Sequence, residues 1–311
     1  MLKQKSVDPN RFHACPPRAN CICSEEGSET DLSEAWSFAD KIFCICLKDR
    51  NDRLVEASEQ FHKHGLCKKI VFYRPSKPTD AEMDELKPLG ITCKGLYGVW
   101  RSHHELAQLS HKLNLKNVVI FEDDVRFLPQ HTTVESITRI GVDLKRLPET
   151  WELMYLGHVP FWGYPVTSDL RLFRVGSQMA HAYILSALGI QKLNHRDYLT
   201  DVNLNQQKER GIDQYFCITM KQYAIRPQMA VQSGSHSSNL QNGKHTISNW
   251  YQDEFIPWGI ELHRDNTPVF EFITFLMFPL LLLAGCMWFA KRRHRMICLF
   301  FLLIVLKLVV I

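Results

Sequence analysis

Short apolar runs alternate with segments of helical periodicity from residue 41 onward, and this alternation restricts the fold more than any other feature of the chain. The first run, KIFCICL, covers residues 41–47, and the second, KKIVFYR, covers residues 68–74. Between them, residues 51–65 carry apolar side chains at the spacing of a helix face. Strands this apolar are typical of parallel sheets covered on both faces. The order predicts a β-α-β unit and an α/β fold with a mixed, mainly parallel sheet flanked by helices.

The helical segment between the two runs has recognisable ends. Asn51 or Asp52 is the expected N-cap, because short polar side chains accept hydrogen bonds from the free N–H groups of a first turn. Gly65 is expected to end the helix. A second helix is expected within GLYGVWRSHHELAQLSHKLN, residues 95–114, and the strand NVVIFEDD, residues 117–124, follows it. The alternation therefore continues and extends the sheet.

Three consecutive carboxylates, Glu122, Asp123 and Asp124, end this strand. Adjacent anions repel one another and lose hydration beside a core, so a positive ligand is expected to offset their charge. In an extended backbone Glu122 and Asp124 point the same way and Asp123 points opposite. Two converging carboxylates suit Mn²⁺ or Mg²⁺, and open α/β sheets bind ligands beyond the carboxyl ends of their strands. The triplet predicts a metal site, with a solvated acidic loop as the alternative.

Composition and charge limit the class of protein. The 311 residues are 45% hydrophobic and 23% charged, with a formal net charge of +4. These values are typical of a globular domain with an additional apolar segment. No basic stripe with interleaved aromatic residues is present, which argues against nucleic acid as a partner. Residues 1–40 are polar and aperiodic and are interpreted as a flexible leader, and residues 41–266 as the folded domain.

The additional apolar segment lies in residues 267–311. The run FITFLMFPLLLLAGCMWFA is uncharged and long enough for a bilayer-spanning helix, expected at about 270–290. The basic run KRRHR follows, and then a second apolar segment at 296–311 that is short for a span. This pattern predicts a C-terminal hydrophobic membrane tail that anchors the protein. A buried core helix is the alternative, and the side of the membrane that the domain faces stays open.

Six blocks of the sequence are more informative in their order than any one of them alone. They are CLKDRNDR (46–53), GLYGVWRSHHE (95–105), VVIFEDDV (118–125), AHAYILSALGIQKL (180–193), GIDQYF (211–216) and YAIRPQMAVQ (223–232). In this order they resemble glycosyltransferase family 25, which contains bacterial lipooligosaccharide galactosyltransferases and animal procollagen galactosyltransferases. The resemblance covers about residues 41–240, and Cys46 stands where the opening block of the family has Asn.

This resemblance implies a GT-A fold and an inverting transfer of a hexose, galactose or glucose, from a UDP-sugar. The acceptor would be a hydroxyl group of a glycan, a lipid-linked saccharide or a protein. Mn²⁺ or Mg²⁺ would be the cofactor, because a divalent cation offsets the negative charge that develops on the leaving diphosphate. Glu122 and Asp124 are the predicted metal ligands. His236, in the polar loop QSGSHSSNLQNGKH, is a candidate third ligand, with a solvated loop histidine as the alternative.

The resemblance favours a donor-site role for several side chains. Arg50 and Arg53 are expected to meet phosphate or ribose, and Asp52 to hold a ribose hydroxyl or fix an arginine. Ser102 and His103 are expected in the first turn of the second helix, where free N–H groups suit anions. Solvated charges at a helix start, and a capping Ser beside a packed His, are the alternatives.

Further residues complete the predicted site. Asp123 is expected to face the sugar, the nucleotide or a neighbouring arginine, and Lys244, in the polar loop, the diphosphate. Asp213 in GIDQYF is the expected general base that takes the proton from the acceptor hydroxyl, with a helix N-cap as the alternative. His181 and Tyr183 are expected in the acceptor pocket or in the core.

Two other function classes use the same acidic cluster. One is a metal-dependent phosphohydrolase, although such enzymes usually assemble a longer series of His and Asp ligands than this sequence shows. The other is an inactive, membrane-anchored relative of glycosyltransferases that serves as a binding module. The carboxylates expected of an active enzyme are present, so the sequence favours a glycosyltransferase.

Overall fold

The computed structural model of the protein describes residues 8–16, 32–169, 171–196 and 211–232. The predicted membrane tail lies outside these residues, as do His236 and Lys244. No helix within the described ranges is both long enough and apolar enough to cross a membrane.

Part of the predicted leader packs onto the folded domain. Phe12–Ala14 forms a short strand, and Leu32–Ala35 forms a short helix. Trp36, directly after that helix, is fully buried and lies edge-on to Phe121. The hydrophobic core of the domain therefore includes side chains from residues before 41.

One large mixed sheet contains most strands of the described residues. The strands are β1 (Phe12–Ala14), β2 (Lys41–Ile45), β3 (Ile70–Tyr73), β4 (Asn117–Glu122), β5 (Val125–Phe127), β6 (Leu153–Tyr155), β7 (Val159–Pro165), β8 (Leu172–Gln178), β9 (Ala182–Ser186), β10 (Gln222–Ile225) and β11 (Ala230–Gln232). The described part of the large sheet has the order β1-β3-β2-β4-β9-β6-β10-β8-β7. Of these strands, β1, β8 and β9 run against the direction shared by the others. The predicted mixed, mostly parallel α/β sheet is confirmed.

Helices cover both faces of the sheet. They are α1 (Leu32–Ala35), α2 (Asn51–Lys63), α3 (Asp80–Leu86), α4 (Lys94–Lys112), α5 (Val134–Arg146), α6 (Ala187–Asn194) and α7 (Ile212–Thr219). Val119 of β4 belongs to a core cluster with Phe61 of α2, whereas Val118 and Ile120 belong to a second cluster with Leu106 of α4. Because successive strand residues point to opposite faces, a strand covered on both faces must be apolar throughout.

The ends of α2 agree only in part with the sequence. Arg50 is the N-cap and makes no side-chain capping bond, so the expectation that Asn51 or Asp52 caps the helix was wrong. Both residues lie inside the first turn. The helix ends before Gly65, whose φ of 66° is a left-handed conformation that glycine adopts without a steric penalty.

The strand order changes direction at β2. In the sheet, β3 lies on one side of β2, and β4, which comes later in the chain, lies on the other side. Ile45, the last residue of β2, is in register with Glu122, the last residue of β4. Ligand crevices of open α/β sheets lie at such points, beyond the carboxyl ends of the strands. The topology therefore brings the segment after β2 and the acidic triplet to one edge.

A two-stranded sheet of β5 and β11 continues from this edge. β5 begins directly after the triplet, and Val125 at its start is in register with Gln232 at the end of β11. This pairing carries the Gln232 side chain to the acidic triplet from a distant part of the chain.

Gly157 allows β11 to approach the large sheet. The N–H groups of Met229 and Ala230 donate to the Leu156 carbonyl at 2.8 and 3.2 Å. A Cβ atom on Gly157 would overlap the carbonyl oxygen of Ala230 and lie 2.5 Å from Nε2 of His181. Only glycine fits this position without moving β11 or its neighbours.

We expect Gly157→Ala to lower the free energy of unfolding by about 1–3 kcal/mol, because the added methyl group must displace backbone atoms. Gly211→Ala is the control, since a Cβ there meets its nearest neighbour, Leu96 Cδ2, at an ordinary 3.5 Å. Chemical denaturation measures both variants. Equal stability of Gly157→Ala and the wild type would contradict the close approach of β11.

Candidate active site

A cleft of about 290 Å³ opens beyond the carboxyl ends of β2 and β4. It brings together most of the described side chains that the sequence predicted for the site. Those that line it are Arg50, Arg53, Ser102, His103, Glu122, Asp123 and Asp124. Asp52 and Asp213 do not line it. The volume lies near the lower end of the range for small-molecule sites.

The acidic triplet is split between a strand and a turn. β4 ends at Glu122, and Asp123 and Asp124 form the turn that leads into β5. The strand alternation that separated Asp123 from its neighbours therefore does not apply past Glu122, and all three residues line the same cleft.

Glu122 and Asp124 are hydrogen-bonded to side chains of different elements. Glu122 Oε1 lies 3.1 Å from Nε2 of His103 on α4. Asp124 Oδ2 accepts a hydrogen bond from Nε2 of Gln232 on β11 at 2.8 Å. The charges of nearby arginines act on Asp123 and lower its pKa, although burial outweighs them. The triplet thus connects three parts of the chain.

Burial perturbs the ionisation of all three groups. It raises the pKa of Glu122 and of Asp124 to about 7 and that of Asp123 to about 6. Repulsion within the triplet adds to each rise, because ionising one carboxylate disfavours ionising the next. Glu122 and Asp124 therefore retain protons close to pH 7, and Asp123 close to pH 6, unless a positive ligand offsets their charge.

The residues present fit a divalent cation held by few protein ligands. Oδ1 of Asp124 is buried and has no hydrogen-bond partner in the part of the chain that the structure describes. An acceptor-only oxygen in that position suits a cation. Within the described ranges, no group of three or more His, Cys, Asp or Glu side chains is arranged to hold a metal ion. Mg²⁺ commonly binds to one or two carboxylates and completes its shell with substrate phosphates and water.

Positively charged side chains line the cleft together with the carboxylates. Arg50 forms a two-pronged ion pair with Asp52, with Nη2 2.7 Å and Nε 2.9 Å from the two carboxylate oxygens. Asp52 therefore orients Arg50, one of the two roles predicted for it. Arg53 is buried, and its charge lowers the pKa of both Asp123 and Asp124.

Ser102 and His103 lie in the middle of α4, so their predicted place in a first turn was wrong. The helix begins at Lys94, eight residues before Ser102. Ser102 Oγ donates to the Gly98 carbonyl at 2.8 Å within the same helix. The free N–H groups of α4 belong instead to its first residues, and Lys94 and Gly95 there line the cleft.

His103 connects the core to the acidic triplet. Its Nδ1 lies 2.6 Å from the hydroxyl of Tyr183, and both side chains are fully buried. Burial lowers the pKa of His103 to about 4, while the charge of Asp213 acts in the opposite direction. The imidazole is therefore neutral at physiological pH. Of the two side chains expected in an acceptor pocket or in the core, Tyr183 lies in the core beside His103, and His181 is buried near Gly157.

Asp213 is the second residue of α7, and Gly211 is the N-cap, so the N-cap alternative for Asp213 was wrong. Its carboxyl group lies close enough to Glu122 and His103 for their charges to act on it. Burial is the main cause that raises its pKa to about 7, and Glu122 adds to the rise. A carboxyl group with this pKa can exchange a proton near neutral pH.

Several cleft residues were not predicted. Lys77 pairs with Asp49 at 3.1 Å, and Lys94 pairs with Asp80 at 2.7 Å at the rim. Nothing in the local sequence distinguishes such lysines from solvated ones. Gln232 was also missed, although it is the last residue of the block YAIRPQMAVQ.

Comparisons with known proteins identify no family for this chain. No family model matches the sequence, and no curated protein matches it. One solved structure, A197 from STIV, covers 65% of this chain and 98% of its own at 10% identity, with a TM-score of 0.31. A glycosyltransferase involved in the glycosylation of the major capsid of PBCV-1 covers 70% of this chain and 98% of its own at 11% identity, with a TM-score of 0.29. At such TM-scores neither likeness carries an argument about function.

The raised pKa of Asp124 makes the stability of the metal-free protein depend on pH. The folded state keeps this proton up to about pH 7, whereas the unfolded state loses it near pH 4. Wild-type stability therefore loses this contribution as the pH rises between these values, and Asn cannot titrate. We expect Asp124→Asn to become more stable relative to the wild type over that interval in chemical denaturation with a chelator present.

Asp169→Asn is the control for this measurement. Arg146 holds the pKa of Asp169 below its usual range, so its contribution to stability is lost only as the pH falls below about 4. The stability of Asp169→Asn relative to the wild type should stay constant between about pH 5 and 7. A pH-independent difference for Asp124→Asn as well would show that this carboxyl group is not protonated in the folded state.

Proposed function

We propose that this protein is a metal-dependent glycosyltransferase. It would move a hexose, galactose or glucose, from a UDP-sugar to a hydroxyl group of a glycan, lipid-linked saccharide or protein, with inversion. The observation that carries the proposal is the cleft at the β2/β4 edge, which Arg50 and Arg53 line together with partly buried carboxylates. One oxygen of these carboxylates has no hydrogen-bond partner among the described residues. The blocks that resemble family 25 contain these residues.

The cleft offers complementary partners for a nucleotide diphosphate and a cation. Glu122 and Asp124 would hold Mn²⁺ or Mg²⁺, with His236 as a proposed further ligand outside the described residues. When bound, the cation would act as a Lewis acid on the leaving diphosphate. Arg50 and Arg53 would bind phosphate or ribose oxygens, for which a guanidinium group has the right shape. Lys244 is proposed near the same phosphates.

The wall formed by α4 suits the close approach of a ligand. Gly95 and Gly98 line the cleft without side chains, and Ile45, Leu47 and Val99 add apolar surface. A cleft with a few polar groups on an apolar wall is typical of small-molecule sites. We assign this wall to the donor, since it adjoins the proposed phosphate-binding arginines.

Asp213 is the proposed general base. An inverting transfer requires a group that takes the proton of the acceptor hydroxyl as it attacks, and a pKa of about 7 suits that task near neutral pH. Asp213 does not line the cleft, but its pKa responds to Glu122 and His103, which do, and this electrostatic coupling supports the proposal.

We expect the full-length protein to release UDP from UDP-galactose or UDP-glucose only when Mn²⁺ or Mg²⁺ is present. Asp124→Ala should abolish this turnover, because it removes a proposed metal ligand. Asp84→Ala is the control. This exposed carboxylate of α3 pairs with Lys87, and the variant should retain full activity. A coupled assay for UDP measures all three proteins.

Three results, from this assay or from parallel assays of phosphate release and ligand binding, would contradict the proposal. UDP release that persists in excess chelator would exclude metal dependence. Release of inorganic phosphate from phosphate esters, without sugar transfer, would indicate the phosphohydrolase. Binding of a UDP-sugar with Mn²⁺ but without turnover would indicate the inactive binding module.

We expect Asp213→Asn to lower kcat by about 10²–10⁴, the usual contribution of a general base. Because Asn has the same size and Asp213 does not line the cleft, the affinity for UDP with Mn²⁺ should stay within a few-fold of the wild type. Steady-state kinetics and calorimetric titration with UDP separate the two effects. An unchanged kcat would exclude Asp213 as the base.

A further inference from the structure

Glu122 and Asp124 are held by the same arrangement of hydrogen bonds, although the donors come from separate elements. His103 Nε2 lies 3.1 Å from Glu122 Oε1, and Gln232 Nε2 lies 2.8 Å from Asp124 Oδ2. In each pair one carboxylate oxygen is occupied. Among the described residues, the other oxygen of Asp124 has no hydrogen-bond partner.

The geometry points to His103 and Gln232 as a pair of positioning residues, which we propose fix the carboxylate oxygens that Glu122 and Asp124 present to a divalent cation. This inference rests on the proposed metal-dependent function. It assigns to His103 a role different from the anion-binding role expected from the sequence. It also gives a role to Gln232, which the sequence did not predict.

The chemistry of the donors supports this assignment. With a cation bound, Glu122 would be ionised and could only accept a hydrogen bond, so Nε2 of His103 would carry the proton that faces it. Nδ1 of the neutral imidazole is then an acceptor, and the Tyr183 hydroxyl at 2.6 Å donates to it. Tyr183 therefore fixes both the tautomer and the orientation of the ring, as the outer partners of metal sites commonly do for histidines.

Neutral donors suit this task better than charged ones. A lysine or arginine bonded to Glu122 or Asp124 would cancel the negative charge that attracts the cation. A neutral imidazole and an amide orient the carboxylates and leave their charge available. Accordingly, the donors hydrogen-bonded to Glu122 and Asp124 are neutral, while Arg53 acts on Asp123 and Asp124 through its charge.

The two donors reach the site along different routes. His103 is fixed by the packing of α4 against the sheet, where it is fully buried. Gln232 is fixed by the pairing of β11 with β5, and the absence of a side chain on Gly157 permits the position of β11. The loss of one donor should therefore leave the other in place.

The test measures the affinity of the full-length protein for Mn²⁺, from the electron paramagnetic resonance signal of the free ion. Binding lowers the signal of free Mn²⁺. The part of this decrease that is absent in Asp124→Asn is assigned to the proposed site. Gln232→Leu and His103→Leu remove one donor each, and we expect each to weaken Mn²⁺ binding about 10–100-fold. His103→Gln should stay within a few-fold of the wild type, because the glutamine amide can place an N–H where Nε2 was.

Matched controls separate positioning from general stability. Gln222→Leu removes a buried amide of β10 that donates to the Tyr155 hydroxyl at 2.8 Å, and His62→Leu removes a buried histidine of α2 whose Nε2 lies 2.8 Å from the Pro16 carbonyl. Both changes should leave Mn²⁺ affinity unchanged, even where the midpoint of thermal unfolding falls. Tyr183→Phe keeps the core volume and should weaken Mn²⁺ binding by releasing the His103 ring.

The outcomes distinguish this inference from the proposed function. Wild-type affinity in Gln232→Leu, or equal weakening in His103→Gln and His103→Leu, would overturn the positioning roles. Absence of a Mn²⁺ site in the wild type would also overturn them, even if the protein transferred sugar without metal. If Mn²⁺ binds and the variants behave as expected, but no UDP-sugar turns over, the positioning roles stand and the proposed function fails.

Discussion

The partial burial of three adjacent carboxyl groups at the end of β4 is the constraint on which the rest of the site depends. Each group loses hydration and repels the others, and the pKa of each is raised accordingly. The fold offsets this cost locally with neutral donors on Glu122 and Asp124 and with arginines beside Asp123. Among the described residues, one oxygen of Asp124 has no hydrogen-bond partner, so this compensation is incomplete.

The fold explains why these partners meet. β2 and β4 are neighbours with β3 on the far side of β2, so Arg50 and Arg53 reach the same edge as the triplet. α4 packs on one face of that edge and supplies His103. β11 packs in the core cluster on the other face, and the close approach at Gly157 sets its position. The cleft thus depends on packing in the core as much as on the residues that line it.

Much of this could be predicted from the sequence. The apolar runs at β2, β3 and β4 locate the parallel strands, because a strand buried on both faces must be apolar throughout. The position of the triplet at a strand end indicates the cleft. The helix details were predicted less well: α4 begins at Lys94 rather than near Ser102, and Asp213 lies inside α7 rather than at its cap. Helix starts without a side-chain capping bond leave little local signal, and both of these helices begin in that way.

The sequence by itself determined the α/β class, the strand-end carboxylates and most of the side chains that meet in the cleft, because hydrophobic periodicity and strand polarity are local properties. The membrane tail and the roles of His236 and Lys244 stay predictions from the sequence. Only the tertiary structure decided the partners of each carboxylate. The hydrogen bond between Asp124 and Gln232 joins residues 108 positions apart, and that between His103 and Tyr183 joins residues 80 apart. Such contacts are set by how the helices and the small sheet pack on the large sheet, and no local sequence pattern records that packing.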